Sequence, residues 1–370
     1  MIFNQRAWIE ISEAAIIHNT KQIRSCIKDD TDYMAVIKGN AWGCGVLPAA
    51  RIFSKCGVDW IGVTRLENGV KIRDAGIDIP ILVLCELPAC ELKIALKYDF
   101  SLTVCNSSTI DFLSALSKEL DKEVRVHLKI NTGLNRWGAK PFMVDDCIKR
   151  INRDPHLSLD GIFSHFLSAD KENKKEEVQK QFQIFNTLLD RISDKGIDIK
   201  YKHIANTPAT IAYPETQLDL VRIGVGNYGV YPGPHLKPLI NLKPVISLKA
   251  EVAHINQVKS GERVGYGGVY KPEKDTNIGI LSLGYSDGLP YSMVGSKVLI
   301  NSYQCSVVAG AMDVFFIDLK DYDIDLGDVA VIVGKEESSS IILDKVVASC
   351  NRGKEEFLAQ LSPKIERVVI

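Results

Sequence analysis

Ala35-Val36-Ile37-Lys38-Gly39-Asn40-Ala41-Trp42-Gly43-Cys44-Gly45 carries a short apolar strand, beginning at Met34, into a lysine and then a glycine-broken turn. A lysine at the mouth of a buried strand is costly unless its amine is used, because burial favours the neutral form. The neutral amine is a nucleophile or a base. The plain alternative is a strand-end lysine snorkelling to solvent. Outward from this stretch the same unit recurs. The pattern predicts a helix over 47–56, a strand over 60–63, and a helix over 66–75 closed by Gly76. Further strands are expected over 81–85, 102–105, 124–130, 159–163, 203–205 and 220–223, alternating with helical patterns. Such alternation implies parallel pairing with helical crossovers, and eight units closing on themselves make a (β/α)8, TIM-like barrel. A doubly wound open sheet is the structural alternative, which the count of eight disfavours.

After Pro232-Gly233-Pro234 the rhythm changes. Strands over 245–258, 278–283, 297–300, 307–309, 314–319 and 329–333 follow one another through turns, which reads as a second, mostly β C-terminal domain. The lone strand Ala7-Trp8-Ile9-Glu10-Ile11 has no partner before the barrel begins. The expected division is therefore 1–11 joined to the C-terminal β domain, 12–238 as the barrel, and 239–370 as the β domain. Lys171 to Lys180 is charge-rich and reads as the solvated start of a helix.

The 370 residues suit two domains, and 46% apolar residues suffice for sizeable cores. A net charge of -1 gives no attraction to nucleic acid or to an acidic membrane surface. No apolar run is long enough to span a bilayer, and the start shows no signal core. Nine scattered cysteines lack Cys-x-x-Cys spacing, which argues against a disulfide framework and a zinc site and for a reducing, cytoplasmic location.

In a β/α barrel, functional groups sit at the carboxyl ends of the strands. Those ends carry Lys38, Lys129 with the later Arg136, His165, Asn206 and Thr207, and Arg222 followed by Gly224, Val225 and Gly226. Cations, an imidazole and hydroxyls on one rim suit an anionic ligand bearing a phosphate. Gly224-Val225-Gly226-Asn227-Tyr228-Gly229 has G-x-G-x-x-G spacing, but Pro232 and Pro234 prevent the long helix a dinucleotide site needs. It reads instead as a phosphate cradle after the last strand, or as a plain turn. Other plain readings are open. His165 is a satisfied core histidine, Arg136 pairs with Asp145 or Asp146, and Tyr266 in Gly265-Tyr266-Gly267-Gly268 is a turn aromatic.

Taken in order, several motifs together resemble the alanine racemase family of pyridoxal-phosphate enzymes. They are Ala35-Val36-Ile37-Lys38, Lys129-Ile130-Asn131-Thr132-Gly133-Leu134-Asn135-Arg136-Trp137-Gly138, Ser164-His165-Phe166 and His203-Ile204-Ala205-Asn206-Thr207. Val221-Arg222-Ile223-Gly224, Val264-Gly265-Tyr266-Gly267, Leu283-Gly284-Tyr285-Ser286-Asp287-Gly288 and Ala311-Met312-Asp313 continue the series. The resemblance implies an amino-acid racemase acting on alanine or a related small or polar amino acid. It implies pyridoxal 5'-phosphate as cofactor, no metal, and a head-to-tail homodimer with shared sites. Lys38 falls on the lysine that carries the cofactor and is one catalytic base. Tyr266 falls on the second, reaching the site from the other subunit. Arg222 falls on the arginine facing the pyridine nitrogen, supported by His165. Asn206, Thr207, Gly224, Val225 and Trp42 fall on the cofactor side. Arg136, Met312, Asp313, Tyr285 and Glu355 fall on the substrate side.

The implied chemistry is coherent. Racemisation needs a base on each face of the α-carbon. An arginine beside the pyridine nitrogen keeps that nitrogen unprotonated and weakens the electron sink, which limits side reactions. Tyrosine, with a reference pKa of about 10, is a poor base at neutral pH. Cationic neighbours would lower that value and give Arg136 and His165 a second use. The chain departs from the family at three places. Trp42 replaces a tyrosine that touches the phosphate, and an indole donates but cannot accept. Cys44 replaces a histidine. Glu355 stands where a tyrosine lines the substrate entrance, which points to serine or a basic amino acid as alternative substrates. Its plain reading is a solvent-facing carboxylate, or one paired with Lys354 or Arg352. A fold-related pyridoxal-phosphate decarboxylase is the competing activity, but Tyr266 has no purpose in it. A non-catalytic cofactor carrier is disfavoured by residues 239–370.

Overall fold

A computed structural model describes residues 6–336 and 339–370. The chain forms two compact units: one holds Ala15–Lys38 and Val46–Lys243, the other Gly39–Gly45, Pro244–Ile370 and the described residues up to Ala14.

The first unit is a parallel barrel. Its strands are β2 (Asp32–Ile37), β3 (Trp60–Val63), β4 (Ile81–Glu86), β5 (Ser101–Val104), β6 (Val124–Lys129), β7 (Leu157–Phe163), β8 (Tyr201–His203) and β9 (Leu220–Ile223). Their order runs β8-β7-β6-β5-β4-β3-β2-β9. β2 is paired on both sides, Met34 to Trp60 of β3 and Asp32 to Leu220 of β9. The ring closes between β8 and β9 through Asp219 N to Lys202 O and Arg222 N to Ala205 O, each 3.0 Å. That closure excludes the open-sheet alternative. Parallel strands covered by helices are apolar on both faces. Accordingly, Tyr33–Ile37 and all of β3 are buried.

The intervening helices follow local rules. Ser107–Leu120 starts at Asn106, whose side chain accepts the Thr109 N–H, and stops at Asp121 in a left-handed conformation. Lys175–Ser193 buries Val178, Gln181, Phe185, Leu188 and Ile192, a spacing of three and four that faces one stripe inward. The charge-rich segment before it supplies a short turn, Glu172–Lys174, and the exposed first turn of that helix.

The second unit is mostly β. Its strands are β1 (Ala7–Ile11), β10 (Ile246–Val258), β11 (Thr276–Leu281), β12 (Lys297–Ile300), β13 (Tyr303–Gly310), β14 (Phe315–Lys320), β15 (Val329–Glu336), β16 (Ser339–Ile341) and β17 (Glu366–Val369). They form one sheet, β16-β15-β12-β13-β14-β11-β10-β1-β17, closed on itself by β15 pairing with β10. β1 runs antiparallel to β10 and parallel to β17. The sequence reading missed β16 and β17. It also missed the short helices Leu343–Ser349 and Lys354–Gln360, each too brief to show periodicity. Residues 1–5 of the expected 1–11 segment lie outside the described residues. None of the nine cysteines is in a disulfide. Among the described residues, no helix is long and apolar enough to cross a membrane, and no cluster could hold a metal.

Candidate active site

Lys38 directly follows β2 and is exposed. The next residues form one turn of left-handed helix. Gly39 has φ 56°, Asn40 φ 51° and ψ 41°, Ala41 φ 55° and ψ 47°, and Trp42 φ 48°. L-residues pay about 1–2 kcal/mol each for this conformation, so the surrounding structure must hold it. Ala41, Trp42 and Cys44 are buried. Burial pushes the Cys44 thiol far up, so it stays protonated. The helix Lys354–Gln360 packs against the turn: a Cβ at Gly39 would meet Ala359 Cβ at 3.1 Å, and one at Gly43 would meet Leu358 O at 2.9 Å. Arg367 Nε donates to Gly43 O at 3.0 Å. Glu355 lies one helical turn from Ala359 and is exposed. The cations of its plain reading are engaged elsewhere, Arg352 with Glu356 at 2.5 Å and Lys354 with Asp344 at 3.4 Å.

Arg222, on β9, is 4% exposed, and among the described residues no carboxylate pairs with it. Its acceptors are neutral. Nη1 is 2.6 Å from His203 Nδ1, and Nη2 lies 2.6 Å from Ser164 O, 3.0 Å from Ile204 O and 3.3 Å from His165 Nδ1. Burial, then Arg136, pulls the guanidinium down to about 9. The same desolvation, with Arg222 next, holds His165 and His203 well below the usual histidine range. His165 is therefore a neutral hydrogen-bonding imidazole. It cannot lend positive charge to a tyrosine, which corrects that part of the sequence reading.

Asn206 and Thr207 sit beside Arg222. Asn206 bridges to Arg222 and caps the short helix Thr207–Ala212. Gly224 N donates to Thr207 Oγ1 at 3.0 Å, and Val225 opens the turn Val225–Tyr228. At Gly226 a Cβ would meet Thr207 Cγ2 at 2.6 Å, so this glycine is required by close approach.

Arg136 is presented by a closed loop. Asn131 N bonds Ala139 O at 2.9 Å and Ala139 N bonds Lys129 O at 2.8 Å, tying the loop's ends. Asn131 Oδ1 accepts from Gly133 N and Asn135 N, both at 3.1 Å. Gly138 has φ 127°, and a Cβ there would lie 2.7 Å from Asn131 N. The guanidinium of Arg136 lies 5.7 Å from the Trp137 ring centroid, and Lys129 Nζ lies 5.7 Å from the same ring. Its plain partners are taken: Asp146 pairs with Arg150, and Asp145 with Arg191 and Lys195. Lys129 is 5% exposed and donates to Leu84 O at 3.2 Å. Burial, with Arg222 next, pulls its amine down to about 8.

The remaining predicted residues belong to the β unit. Tyr266 is 81% exposed on a turn in which Gly265, Gly267 and Gly268 all have positive φ. Tyr285 and Met312-Asp313 lie on two turns held together: Ser286 N donates to Met312 O at 2.9 Å, and Ser286 Oγ to Asp313 Oδ1 at 3.0 Å. Tyr285 also walls a surface cleft of about 580 Å³ with Tyr291, Arg352 and Gln360. Within the barrel, then, the rim groups come together around Arg222. His203 and His127 were missed as site residues. The signal available was period-2 alternation in β6, which places His127 on the same face as Lys129.

The amino-terminal domain model of alanine racemase matches residues 11–232, and the carboxyl-terminal domain model matches residues 245–369. This chain belongs to the alanine racemase family. Alanine racemase 1 of Oceanobacillus iheyensis is 31% identical over 366 residues, covering 98% of this chain and 97% of that one. The structure of alanine racemase from Clostridium difficile 630 superposes with a TM-score of 0.95 at 29% identity, over 100% of this chain and 97% of that one. A histidine racemase from Leuconostoc mesenteroides superposes with a TM-score of 0.91 at 26% identity, over 100% and 99% of the two chains. The protein is thus an isomerase of the amino-acid racemase type, in a family that depends on pyridoxal phosphate.

Proposed function

We propose that this protein binds pyridoxal 5'-phosphate and interconverts L- and D-alanine, or a related small or polar amino acid, as a cytoplasmic head-to-tail homodimer. The observation that carries the reading is Arg222, a buried cation whose acceptors are all neutral. A donor held this way fits the unprotonated ring nitrogen of the cofactor better than any cation or metal. Lys38 would hold the cofactor, Arg222 its ring nitrogen, and Thr207, Gly224 and Val225 its phosphate. Trp42 would donate an N–H there, and His165 and Asn206 would brace Arg222. When bound, pyridoxal phosphate supplies the electron sink that acidifies the α-hydrogen of the amino acid.

The chain's own groups do the rest. Arg136 would hold the substrate carboxylate from the barrel, and the Met312-Asp313 turn and Tyr285 would serve it from the domain that offers Tyr266 to the other subunit. Lys38 moves the α-proton on one face, and Tyr266 of the partner subunit on the other. Residues 12–238 form the cofactor-binding barrel in this reading. The described residues of the 1–11 and 239–370 segments form the domain that offers Tyr266.

The likeness to a histidine racemase favours a second reading of the substrate, a serine or basic amino acid accommodated beside Glu355. Glutamate is smaller than tyrosine and offers an acceptor or a charge. A panel of L-alanine, L-serine, L-histidine, L-lysine and L-arginine, scored for D-product with wild type and Glu355→Tyr, separates the readings. Alanine leading in both proteins assigns alanine and removes Glu355 from specificity. A polar substrate leading only in wild type assigns Glu355 that role. Carbon dioxide without D-product overturns the racemase reading.

A further inference from the structure

Behind Arg222 a chain of imidazoles runs into the barrel floor. A guanidinium carries donors only, so His203 Nδ1, 2.6 Å from Arg222 Nη1, must accept. His203 then keeps its proton on Nε2, which lies 3.0 Å from His127 Nδ1. His127 must accept in turn and carry its own proton on Nε2, a fully buried atom with no hydrogen-bond partner among the described residues. A charge on either ring would set two N–H groups against each other. The direction of every hydrogen bond in the series is thus fixed by the arginine at its head.

The surroundings are built to hold this series. His127 and His203 are both 0% exposed. Trp60 stands across His127 with centroids 5.8 Å apart, Tyr201 stacks on it at 6.0 Å, and Phe163 stacks on His203 at 4.7 Å. A Cβ at position 161 would come within 2.2 Å of His127 Nδ1, so Gly161 clears the space this ring occupies. Two histidine nitrogens and two carbonyls satisfy Arg222 without neutralising it. A carboxylate in place of His203 would quench the charge. An apolar residue in place of His127 would leave the His203 N–H unpaired in the core.

We infer that His127, 3.0 Å from His203, is a positioning residue that fixes the His203 tautomer and so aims the uncompensated charge of Arg222 at the cofactor. The inference rests on the proposed reading of Arg222 as the partner of the cofactor ring nitrogen. Two variants separate hydrogen bonding from packing. His127→Phe keeps an aromatic ring between Trp60 and Tyr201 but removes the acceptor. His127→Asn keeps an acceptor close to the Nδ1 position but removes the ring.

The test uses the full-length protein as purified, with nitrogen-15-labelled histidine to read tautomers by NMR and visible absorption to read bound cofactor. In wild type, His127 and His203 are expected to be neutral at neutral pH with their protons on Nε2. His127→Phe is expected to loosen the His203 tautomer, shift the cofactor absorption band and lower kcat about tenfold with little change in KM. His127→Asn is expected to restore the band and most of kcat despite a lower Tm. A wild-type His203 that is charged or protonated on Nδ1 overturns the inference, as does a His127→Phe enzyme with unaltered band and kcat. Equal losses in both variants assign His127 to packing alone. If neither variant folds, the wild-type tautomers still decide. Absence of bound cofactor would instead count against the proposed function while the tautomers remain readable.

Discussion

Lys129 shows how strongly this barrel taxes charge. Its pKa is about 8 in the folded chain against 10.5 unperturbed, because the amine is buried and Arg222 is near. A depressed lysine pKa means the unfolded chain binds more protons between these values, so stability rises with pH across that window. Wild type should therefore gain stability relative to Lys129→Met as pH rises from 8 to 10.5, by about 3 kcal/mol in total. Denaturant melts of both proteins at several pH values measure it, and parallel curves would contradict it. Tyr266 gives a second prediction at this scale. With Tyr266→Phe, Lys38 can still remove the α-proton from one enantiomer. Solvent exchange of that proton should survive for one enantiomer and collapse for the other, while racemisation falls in both directions. Equal loss of exchange from both would argue against two separate bases. These residues were legible because each sits at a strand end or in a motif. His127 and His203 were not, since a histidine inside a strand pattern looks like any other core residue until its partner is known.

The left-handed turn after β2 was half legible. Gly39, Gly43 and Gly45 announce a turn. Nothing local announces that Asn40, Ala41 and Trp42 share the same φ sign. The reason is tertiary: helix Lys354–Gln360 and Arg367, more than 300 residues away in sequence, brace it. Asn40→Gly should be tolerated to within about 1 kcal/mol, while Asn40→Val should cost about 2 kcal/mol or more. Thermal unfolding of both variants checks this, and equal melting temperatures would mean the turn is not under strain. The loop over 131–138 makes the companion case. Gly138→Ala places a Cβ 2.7 Å from Asn131 N at φ 127°. The expected result is a KM for the amino acid raised about tenfold or more, because Arg136 moves, with far less effect on cofactor absorption. An unchanged KM would detach Arg136 from the carboxylate.

At the scale of the whole molecule the fold class was written in the alternation of strands and helices and in its abrupt end at Pro232-Gly233-Pro234. Closure of the barrel was legible only in the count of eight units, because periodicity does not show which strands pair. The place of β17 was not legible, since its four residues gain meaning only beside β1. The shared site is the largest claim at this scale. If Lys38 and Tyr266 of the partner subunit serve one substrate, two inactive proteins can repair each other. Lys38→Ala and Tyr266→Phe subunits, mixed in equal amounts under conditions of demonstrated exchange, should recover roughly a quarter of wild-type racemase activity, since half the dimers would carry one intact site. No recovery above the two parents would contradict the shared two-base site.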